Sequence, residues 1–546
     1  MVARETSKRN SRPIDRTKLM AGPRTVIRGG MLVDGTSDVP RRADLAMQDG
    51  VITAIGEVSP QSDDVVIDAS RRYLMPGFID THTHADGAVF REDVQRALLK
   101  QGVTTVIAGQ DGVSYAPGDG AYSTEYFAAL DGPHPTYAGG GVAGLLASYD
   151  RTTPINVGYL IPAGTVRHEV KGYSSGEAST GEIAAMQGLI EQGLAEGALG
   201  LSTGLDYVPG IYQNTAELIE MNRPIAERDG LYVSHMRGGY GANARVGTDE
   251  ITAIAEATGV RVHVSHYVGP SDLLLELIDD MVSHSVDLSF DAYPYRRSSS
   301  LLTMKLLPRE LLLGSSSRVS ETLNDPEQRR KLLEQWFPAL EQNTGLAPDW
   351  FDTFSLAHIA AKEYDWAHGM TVGAAASRAG SDPVTFALDL LVASRMEVGV
   401  VMQSRIQRTY DDLAKLFRHP AHTAGSDGIY LGRNPHPRAW GTFAKFLRVF
   451  TRERGDFTWN DAARHLSGRA ASRFGLVGRG VLKTGAIADV VLVDPERVSD
   501  EATYEHPTTE AVGVDDVFVG GRQVLAAGQL TGEKAGRAIR RARQTE

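Results

Sequence analysis

Short apolar runs rich in β-branched residues recur along the middle of the chain, and stretches with a helical pattern separate them. Strands that alternate with helices form parallel βα units, and eight such units close a barrel. We therefore predict an α/β fold, a (β/α)8 TIM-like barrel that occupies residues 76–475. The predicted barrel strands include residues 104–109, 156–161, 200–202, 231–234, 262–265 and 286–291.

Both ends of the chain also contain strand patterns, which are short β-branched stretches separated by glycine turns. These stretches are residues 25–35, 45–56, 485–494 and 512–521. Two β-rich ends that flank a long middle predict one small β-sandwich domain, built from residues 25–75 together with residues 476–536.

Two further segments depart from the barrel pattern. Residues from about 306 to 366 are charged and helical in pattern, which predicts an insertion into one loop. Inserted loops over the mouth of a barrel often become lids. Residues 1–24 are basic with few apolar residues, which predicts a disordered tail.

Composition excludes several classes of protein. The formal net charge is −12, whereas a nucleic-acid footprint is basic, so we expect no nucleic-acid partner. No apolar run reaches the roughly 18–20 residues of a membrane helix, and the start of the chain lacks the apolar core of a signal peptide. We therefore expect a cytoplasmic protein without a membrane partner. The chain contains no cysteine, so every metal ligand must be nitrogen or oxygen.

Two histidines separated by one residue end the apolar run Pro-Gly-Phe-Ile-Asp-Thr-His-Thr-His at residues 76–84. Side chains alternate along a strand, so His82 and His84 project from the same side and can bind one metal ion. The same spacing also occurs by chance in exposed loops. Here the pair follows a buried strand, and barrel enzymes place their chemistry at the carboxyl ends of such strands.

Further polar residues end the neighbouring predicted strands. They are Gln110 and Asp111, His235, His266 and Asp427. Any one of them alone is most often a satisfied polar residue. Together with the histidine pair they give four histidines and two aspartates in one barrel mouth, which is costly to bury without a metal. This set matches a nitrogen and oxygen site for one or two zinc-like ions.

In these motifs the chain resembles the amidohydrolase superfamily, and within it the N-acyl-D-amino-acid deacylases, also called D-aminoacylases. The resemblance extends from about residue 25 to residue 536. The motifs that carry it are residues 76–84, 197–205, 291–295 and 425–428, with further matches at residues 436–438 and 479–489.

The resemblance implies a metal-dependent hydrolase that cleaves the C–N amide bond of a small N-acyl compound. It implies that His82, His84, His235 and His266 hold Zn²⁺, as one or two ions, with other divalent metals as alternatives. It also implies that Asp427 contacts the metal and carries the proton from the attacking water to the leaving nitrogen. A bound metal lowers the pKa of its water from about 15.7 to near 7.

The first departure from the deacylase pattern lies at the second strand. These deacylases commonly place a metal-ligating cysteine there, whereas this chain has Gln110, Asp111 and Gly112. Asp111 can ligate or bridge metals through oxygen. A carbamylated lysine is the usual bridge elsewhere in the superfamily, with Lys171 as the candidate here, but we favour Asp111 because it follows a convincing strand.

The second departure concerns the substrate. The deacylases hold the substrate carboxylate partly through a lysine where this chain has Val268. The remaining candidate substrate-binding residues are Tyr207, Tyr293, Tyr295 and Arg438, with a hydroxyl from Ser299 or Ser300. Losing one cation weakens a carboxylate clamp, since charge-assisted hydrogen bonds are the strong ones.

Three functions remain open from the sequence. The first is an amide hydrolase that acts on N-acyl-D-amino acids or related N-acyl compounds. The second is a relative that opens a cyclic or carboxylate-free amide or a lactone. The third is an inactive scaffold, which retention of the four histidines and Asp427 argues against. Homo-oligomer formation is also open.

Overall fold

The computed structural model describes residues 22–343, 346–404 and 408–542. The predicted tail of residues 1–24 lies outside this range except for its last three residues. Strands β1–β21 are Thr25–Leu32, Arg41–Gln48, Val51–Gly56, Val65–Asp68, Tyr73–Pro76, Phe78–Asp80, Val103–Ala108, Asn156–Pro162, Gly200–Gly204, Leu231–His235, Arg261–Val264, Leu288–Ala292, Arg297–Leu301, Phe354–Ile359, Val398–Gln403, His422–Ala424, Val490–Val493, Val514–Val519, Arg522–Ala526, Gln529–Leu530 and Ala538–Ile539.

Helices surround and connect these strands. Helices α1–α19 are Glu92–Leu99, Ala121–Tyr126, Gly141–Tyr149, Ala163–Lys171, Thr180–Ala195, Thr215–Glu227, Ala244–Thr258, Ser271–Ser283, Leu302–Leu306, Ser316–Asn324, Pro326–Lys331, Phe337–Asn343, Trp350–Thr353, Val372–Ala379, Pro383–Ala393, Tyr410–Phe417, Arg438–Lys445, Trp459–Ala463 and Arg469–Arg473. Three π-helical stretches continue or join them, at Leu332–Trp336, Phe446–Glu453 and Arg464–Gly468. No helix among the described residues is long and apolar enough to cross a membrane.

The predicted barrel is confirmed. Eight parallel strands lie side by side in the order β6, β7, β8, β9, β10, β11, β12 and β16. The last strand returns to the first, because the Thr81 amide donates to the carbonyl oxygen of Ala424 at 3.2 Å and Thr83 forms a parallel bridge with Gly428. Strands β7 and β8 are buried at every position, as expected where barrel strands are covered on both faces.

Apolar side chains fill part of the barrel interior. Ile79, Ile107, Leu160 and Val233 come from β6, β7, β8 and β10 and belong to one buried cluster with Phe474, which follows α19. Side chains from these strands converge inside the barrel, where such layers form a packed core and not a pore.

The two ends of the chain form one nine-stranded sheet. Its order is β20, β19, β18, β17, β5, β1, β2 and β3, with β4 paired to β1. Strand β17 runs antiparallel to β5, which joins the C-terminal strands to the N-terminal ones. The sheet folds back on itself, since Val51 bridges Ile487. The last strand, β21, leaves this sheet and pairs with β8 of the barrel.

A separate subdomain lies between β12 and β16. Strands β13, β15 and β14 form an antiparallel sheet, and helices α9, α10 and α12–α15 pack with it around a second hydrophobic core. The predicted insertion of about residues 306–366 lies inside this subdomain, which extends to both sides because Arg297 of β13 pairs with Gln403 of β15. The subdomain thus enters and leaves through neighbouring strands.

A buried ion pair joins α4 to α6 on the outside of the barrel. Arg167 Nη1 donates to Glu217 Oε1 at 2.6 Å, and both side chains are buried. We expect Arg167→Met to lower the free energy of unfolding by about 3–5 kcal/mol, because it leaves the Glu217 charge buried without a partner. Denaturant titration measures this loss. The matched variant Arg245→Met removes an exposed arginine and should change stability little; equal losses in both variants would contradict the expectation.

Candidate metal centre

The six sequence-predicted metal-binding residues meet at the carboxyl end of the barrel strands. His82 and His84 follow β6, Asp111 follows β7, and His235 ends β10. His266 and Asp427 follow β11 and β16. All six side chains are buried. Parallel strands bring their carboxyl ends to one edge, which is why residues far apart in sequence converge here.

Asp111 lies at the centre of this group. Its Oδ1 is 3.5 Å from His82 Nε2 and 3.6 Å from His266 Nε2. Its Oδ2 is 3.7 Å from His84 Nε2 and 3.5 Å from His235 Nδ1. Each carboxylate oxygen therefore faces two imidazole nitrogens, so Asp111 would be able to ligate an ion through either oxygen.

Asp427 completes the second of two ligand groups. Its Oδ1 is 3.6 Å from His84 Nε2 and 3.9 Å from His82 Nε2. Ligand atoms of His82, His84 and Asp427 lie within 4.8 Å of one another, and so do those of His82, Asp111 and His266. The two groups share His82, and one imidazole nitrogen binds one ion, so each group by itself fits one ion.

Buried polar atoms without hydrogen-bond partners indicate whether the site suits a metal ion. His82 Nε2 and Asp111 Oδ1, which lie 3.5 Å apart, are buried and have no hydrogen-bond partner. A buried polar atom without a partner is costly, and metal coordination removes that cost. The donors are imidazole nitrogens and carboxylate oxygens, which suit Zn²⁺. The residues present therefore fit a zinc centre.

The backbone at three of these residues adopts the left-handed region. The φ angle is 55° at Asp111, 33° at His266 and 49° at Asp427. Such conformations are sparsely populated for residues other than glycine and tend to cluster at functional sites. A Cβ atom placed on Gly204 would lie 1.9 Å from the Asp111 carbonyl oxygen, so only glycine there lets the Asp111 loop approach β9.

Three more aspartates hold the histidines from outside, and we call them the outer carboxylates. Asp131 Oδ1 is 3.1 Å from His84 Nδ1, and Asp206 Oδ2 is 3.4 Å from His235 Nε2. Asp291 Oδ2 is 3.6 Å from His82 Nδ1. Each carboxylate favours the tautomer whose other nitrogen faces Asp111, the usual arrangement around metal-ligating histidines.

The contacts of the outer carboxylates with the histidines were not predicted from the sequence. Asp291 belongs to the motif at residues 291–295, so the sequence marks the residue but not its contact with His82. It also accepts the His266 amide at 2.8 Å and lies 3.0 Å from His263 Nε2. Asp206 lies two residues beyond the end of β9, the same position relative to a strand that identified the predicted ligands, so this signal could have found it. Asp131 lies between α2 and α3, far from a strand end, and nothing in its spacing distinguishes it from a surface residue.

Removing one outer carboxylate should weaken metal binding. We expect Asp131→Asn to lower zinc affinity about 10- to 100-fold, because His84 loses the acceptor that orients it. Competition with a chromophoric chelator measures the affinity. Glu397→Gln changes a similar carboxylate–histidine pair in the inserted subdomain, 2.8 Å from His358, and should leave zinc affinity unaltered. An unchanged affinity in Asp131→Asn would contradict the orienting role.

Electrostatics keep both site aspartates ionised. Burial raises the pKa of Asp427, but Arg438 and His84 outweigh this effect and lower it to about 2. Arg438 Nη2 donates to Asp427 Oδ2 at 2.8 Å. Burial also opposes ionisation of Asp111, yet His82 and His235 hold its pKa well below the usual value. Both carboxylates are thus available as anionic ligands.

A cavity of about 280 Å³ opens beside the centre. Tyr207 and Tyr293 line it, and the Tyr207 ring is 5.0 Å from the His235 ring. Tyr295 lies elsewhere, with its ring 4.3 Å from Lys445 Nζ. Residues of β13, β15 and α9 of the inserted subdomain also line the cavity.

Arg438 does not open onto this cavity. It is 1% exposed and lies behind Asp427, with its guanidinium 4.7 Å from the Tyr293 ring centre. Lys171, the alternative bridging residue, is at the end of α4, where its Nζ pairs with Glu182 Oε1 at 2.8 Å. The Lys171 ammonium group is therefore engaged by Glu182 and does not belong to the group of four histidines.

Known proteins match this chain along most of its length. D-aminoacylase of Alcaligenes xylosoxydans xylosoxydans is 32% identical over 529 residues, which cover 94% of this chain and 97% of that protein. The solved N-acyl-D-glutamate deacylase of Bordetella bronchiseptica, complexed with zinc and a phosphonate inhibitor, is 31% identical with a TM-score of 0.79, covering 94% of this chain and 99% of that chain.

A solved D-aminoacylase, described for its binuclear metal centre, is 29% identical with a TM-score of 0.77, covering 95% of this chain and 99% of that chain. The sequence pattern of the amidohydrolase family matches residues 65–309 and 339–525. Because this match and these relatives span the barrel, the metal centre and the sheet domain, the chain belongs to the amidohydrolase family.

Proposed function

We propose that this protein is a zinc-dependent deacylase that hydrolyses the amide bond of N-acyl-D-amino acids. The observation that carries the proposal is the Asp111 carboxylate, surrounded by four buried histidines beside a cavity that Asp427 also lines. The relatives that match nearly the whole chain support the substrate class, since they are named as deacylases of N-acyl-D-amino acids.

Two groups of residues would each hold one metal ion. His82, His84 and Asp427 would hold one zinc ion. Asp111, His235 and His266 would hold a second one, since His235 and His266 lie 3.5 and 3.6 Å from the Asp111 carboxylate oxygens. Zinc, when bound, supplies a Lewis acid that makes water nucleophilic near neutral pH and polarises a carbonyl group.

Asp427 is the residue placed to move the proton. Its Oδ2 is held by Arg438, while its Oδ1 faces His82 and His84 and the cavity. As an ionised carboxylate it accepts a proton from the attacking water, and it then donates that proton to the leaving nitrogen. The products are a carboxylate and a free amino acid, so one water is consumed for each amide cleaved.

Elemental analysis and a substrate panel test the proposal. We would measure the zinc content of the purified protein and the hydrolysis of N-acetyl amino acids of both hands. We expect bound zinc and release of amino acid from the D forms only. Bound zinc with no activity on carboxylate-bearing amides would overturn the proposal in favour of a cyclic or carboxylate-free substrate, and absence of metal would favour the scaffold.

A cytoplasmic location and homo-oligomer formation stay predictions.

A further inference from the structure

Arg408 is a buried cation without an acidic partner. It precedes α16, lines the cavity beside the metal centre and is only 5% exposed. Its Nη2 donates to the carbonyl oxygen of Tyr295 at a long 3.4 Å, and its Nε and Nη1 have no hydrogen-bond partner. No carboxylate in the described part of the chain lies within ion-pair distance of it. A buried guanidinium of this kind is costly unless an anion binds to it.

The acidic side chains of the cavity already have partners. Asp206 contacts His235, Asp427 pairs with Arg438, and Asp111 lies among the histidines. Burial lowers the pKa of Lys305, and the charge of Asp206 acts in the opposite direction. The charge of Arg408 is therefore left for a group that comes from outside.

A hydroxyl group in the same cavity also lacks a partner. Ser300 Oγ is buried without a hydrogen bond, whereas Ser299 Oγ donates to the Val400 carbonyl oxygen at 2.9 Å. A guanidinium with free N–H groups and a free hydroxyl together match a carboxylate, which accepts several hydrogen bonds. The cavity holds these donors on the same lining as Asp427 and the metal-centre histidines.

We propose that Arg408, assisted by Ser300, binds the carboxylate of the substrate in this protein. The proposal rests on the proposed function, because it assigns the α-carboxylate of the N-acyl-D-amino acid to this pair. Val268 lines the same cavity and has no charge, so the lysine expected there from the resemblance is absent. In this protein Arg408, which lies at the end of the inserted subdomain, would bind the carboxylate in place of that lysine.

The test compares two substrates that differ only in the carboxylate. Zinc-loaded protein is assayed with N-acetyl-D-leucine and with N-acetyl-D-leucinamide. We expect Arg408→Gln to raise KM for the acid about 10- to 100-fold, because a charge-assisted bidentate contact is lost. KM for the amide and the zinc content should change less than about twofold. A similar loss for both substrates would overturn the proposal.

Two further variants sharpen the result. Arg296→Gln removes an exposed cation of the same cavity and should leave the preference for the acid intact. Val268→Lys, added to Arg408→Gln, should restore much of the binding of the acid, since it returns a cation to the cavity. A double variant with no recovery, together with an Arg296→Gln variant that loses the preference, would assign the carboxylate to Arg296 instead.

Failure of the proposed function is separable from failure of this inference. If the unaltered protein hydrolyses neither compound, the proposed function fails, and calorimetry then measures how tightly each compound binds. Tighter binding of the acid that disappears in Arg408→Gln would still support the carboxylate site. Equal binding of acid and amide to the unaltered protein would overturn it.

Discussion

Asp427→Asn is expected to lower kcat by about 10³-fold on any N-acyl-D-amino acid that the protein hydrolyses, within the range of about 10²- to 10⁴-fold given by general acid–base catalysis. The asparagine keeps the size of the side chain and an oxygen that can accept the Arg438 hydrogen bond. It loses the ability to accept a proton from water and return it to nitrogen. Steady-state kinetics with zinc-loaded protein measures the effect.

Zinc content must be measured in the same preparation, because Asp427 also faces His82 and His84. Full zinc occupancy with a large loss of kcat would assign the loss to proton transfer. Asp287→Asn is a matched control, since Asp287 is another arginine-paired aspartate, held by Arg473 and away from the metal centre. Activity that survives in Asp427→Asn with full zinc occupancy would show that another group moves the proton.

The barrel and the convergence of its polar residues were predictable because they depend on local pattern and on topology. Strands β7 and β8 are buried throughout and rich in apolar residues, and parallel strands in a barrel must present their carboxyl ends at one rim. Once the strands are placed, a polar residue just beyond each strand end is placed too. Asp111 and His266 follow this logic, because they lie three and two residues beyond the ends of β7 and β11.

The direction of a side chain beyond a strand end was not predictable in the same way. Arg438 lies in a recognisable motif, yet whether it reaches the cavity or Asp427 depends on the packing of α17 against Tyr293. The position of Asp131 depends on the path of the segment between α2 and α3, which tertiary contacts set. Long-range packing decides these contacts, and single-sequence patterns do not record it.

The boundary of the inserted subdomain was hidden for a related reason. Strand β13 has the sequence Arg-Ser-Ser-Ser-Leu, which shows no apolar alternation. Its pairing with β15, about one hundred residues later, stabilises it as a strand. Strand propensity depends on such partners more than on the residues themselves. The result matters for function, because β13 carries Ser300 and β15 leads towards Arg408.

Asp111→Ala should abolish metal binding and activity together. Substitutions of outer partners already cost about 10- to 100-fold in metal affinity, so removing a central ligand should cost more than about 100-fold. The alanine removes the one carboxylate that faces all four histidines, and their nitrogens then lose both the bridge and its negative charge. Elemental analysis after dialysis, with the deacylase assay beside it, measures both effects.

Asp111→Cys and Lys171→Ala distinguish the possible bridges. A cysteine returns an anionic ligand at the position where deacylases commonly have one, so Asp111→Cys should retain zinc and bind softer metals better than the unaltered protein. Lys171→Ala should leave zinc content unchanged, because Lys171 pairs with Glu182. Loss of zinc in Lys171→Ala, with full zinc in Asp111→Ala, would transfer the bridge from Asp111 to a modified Lys171.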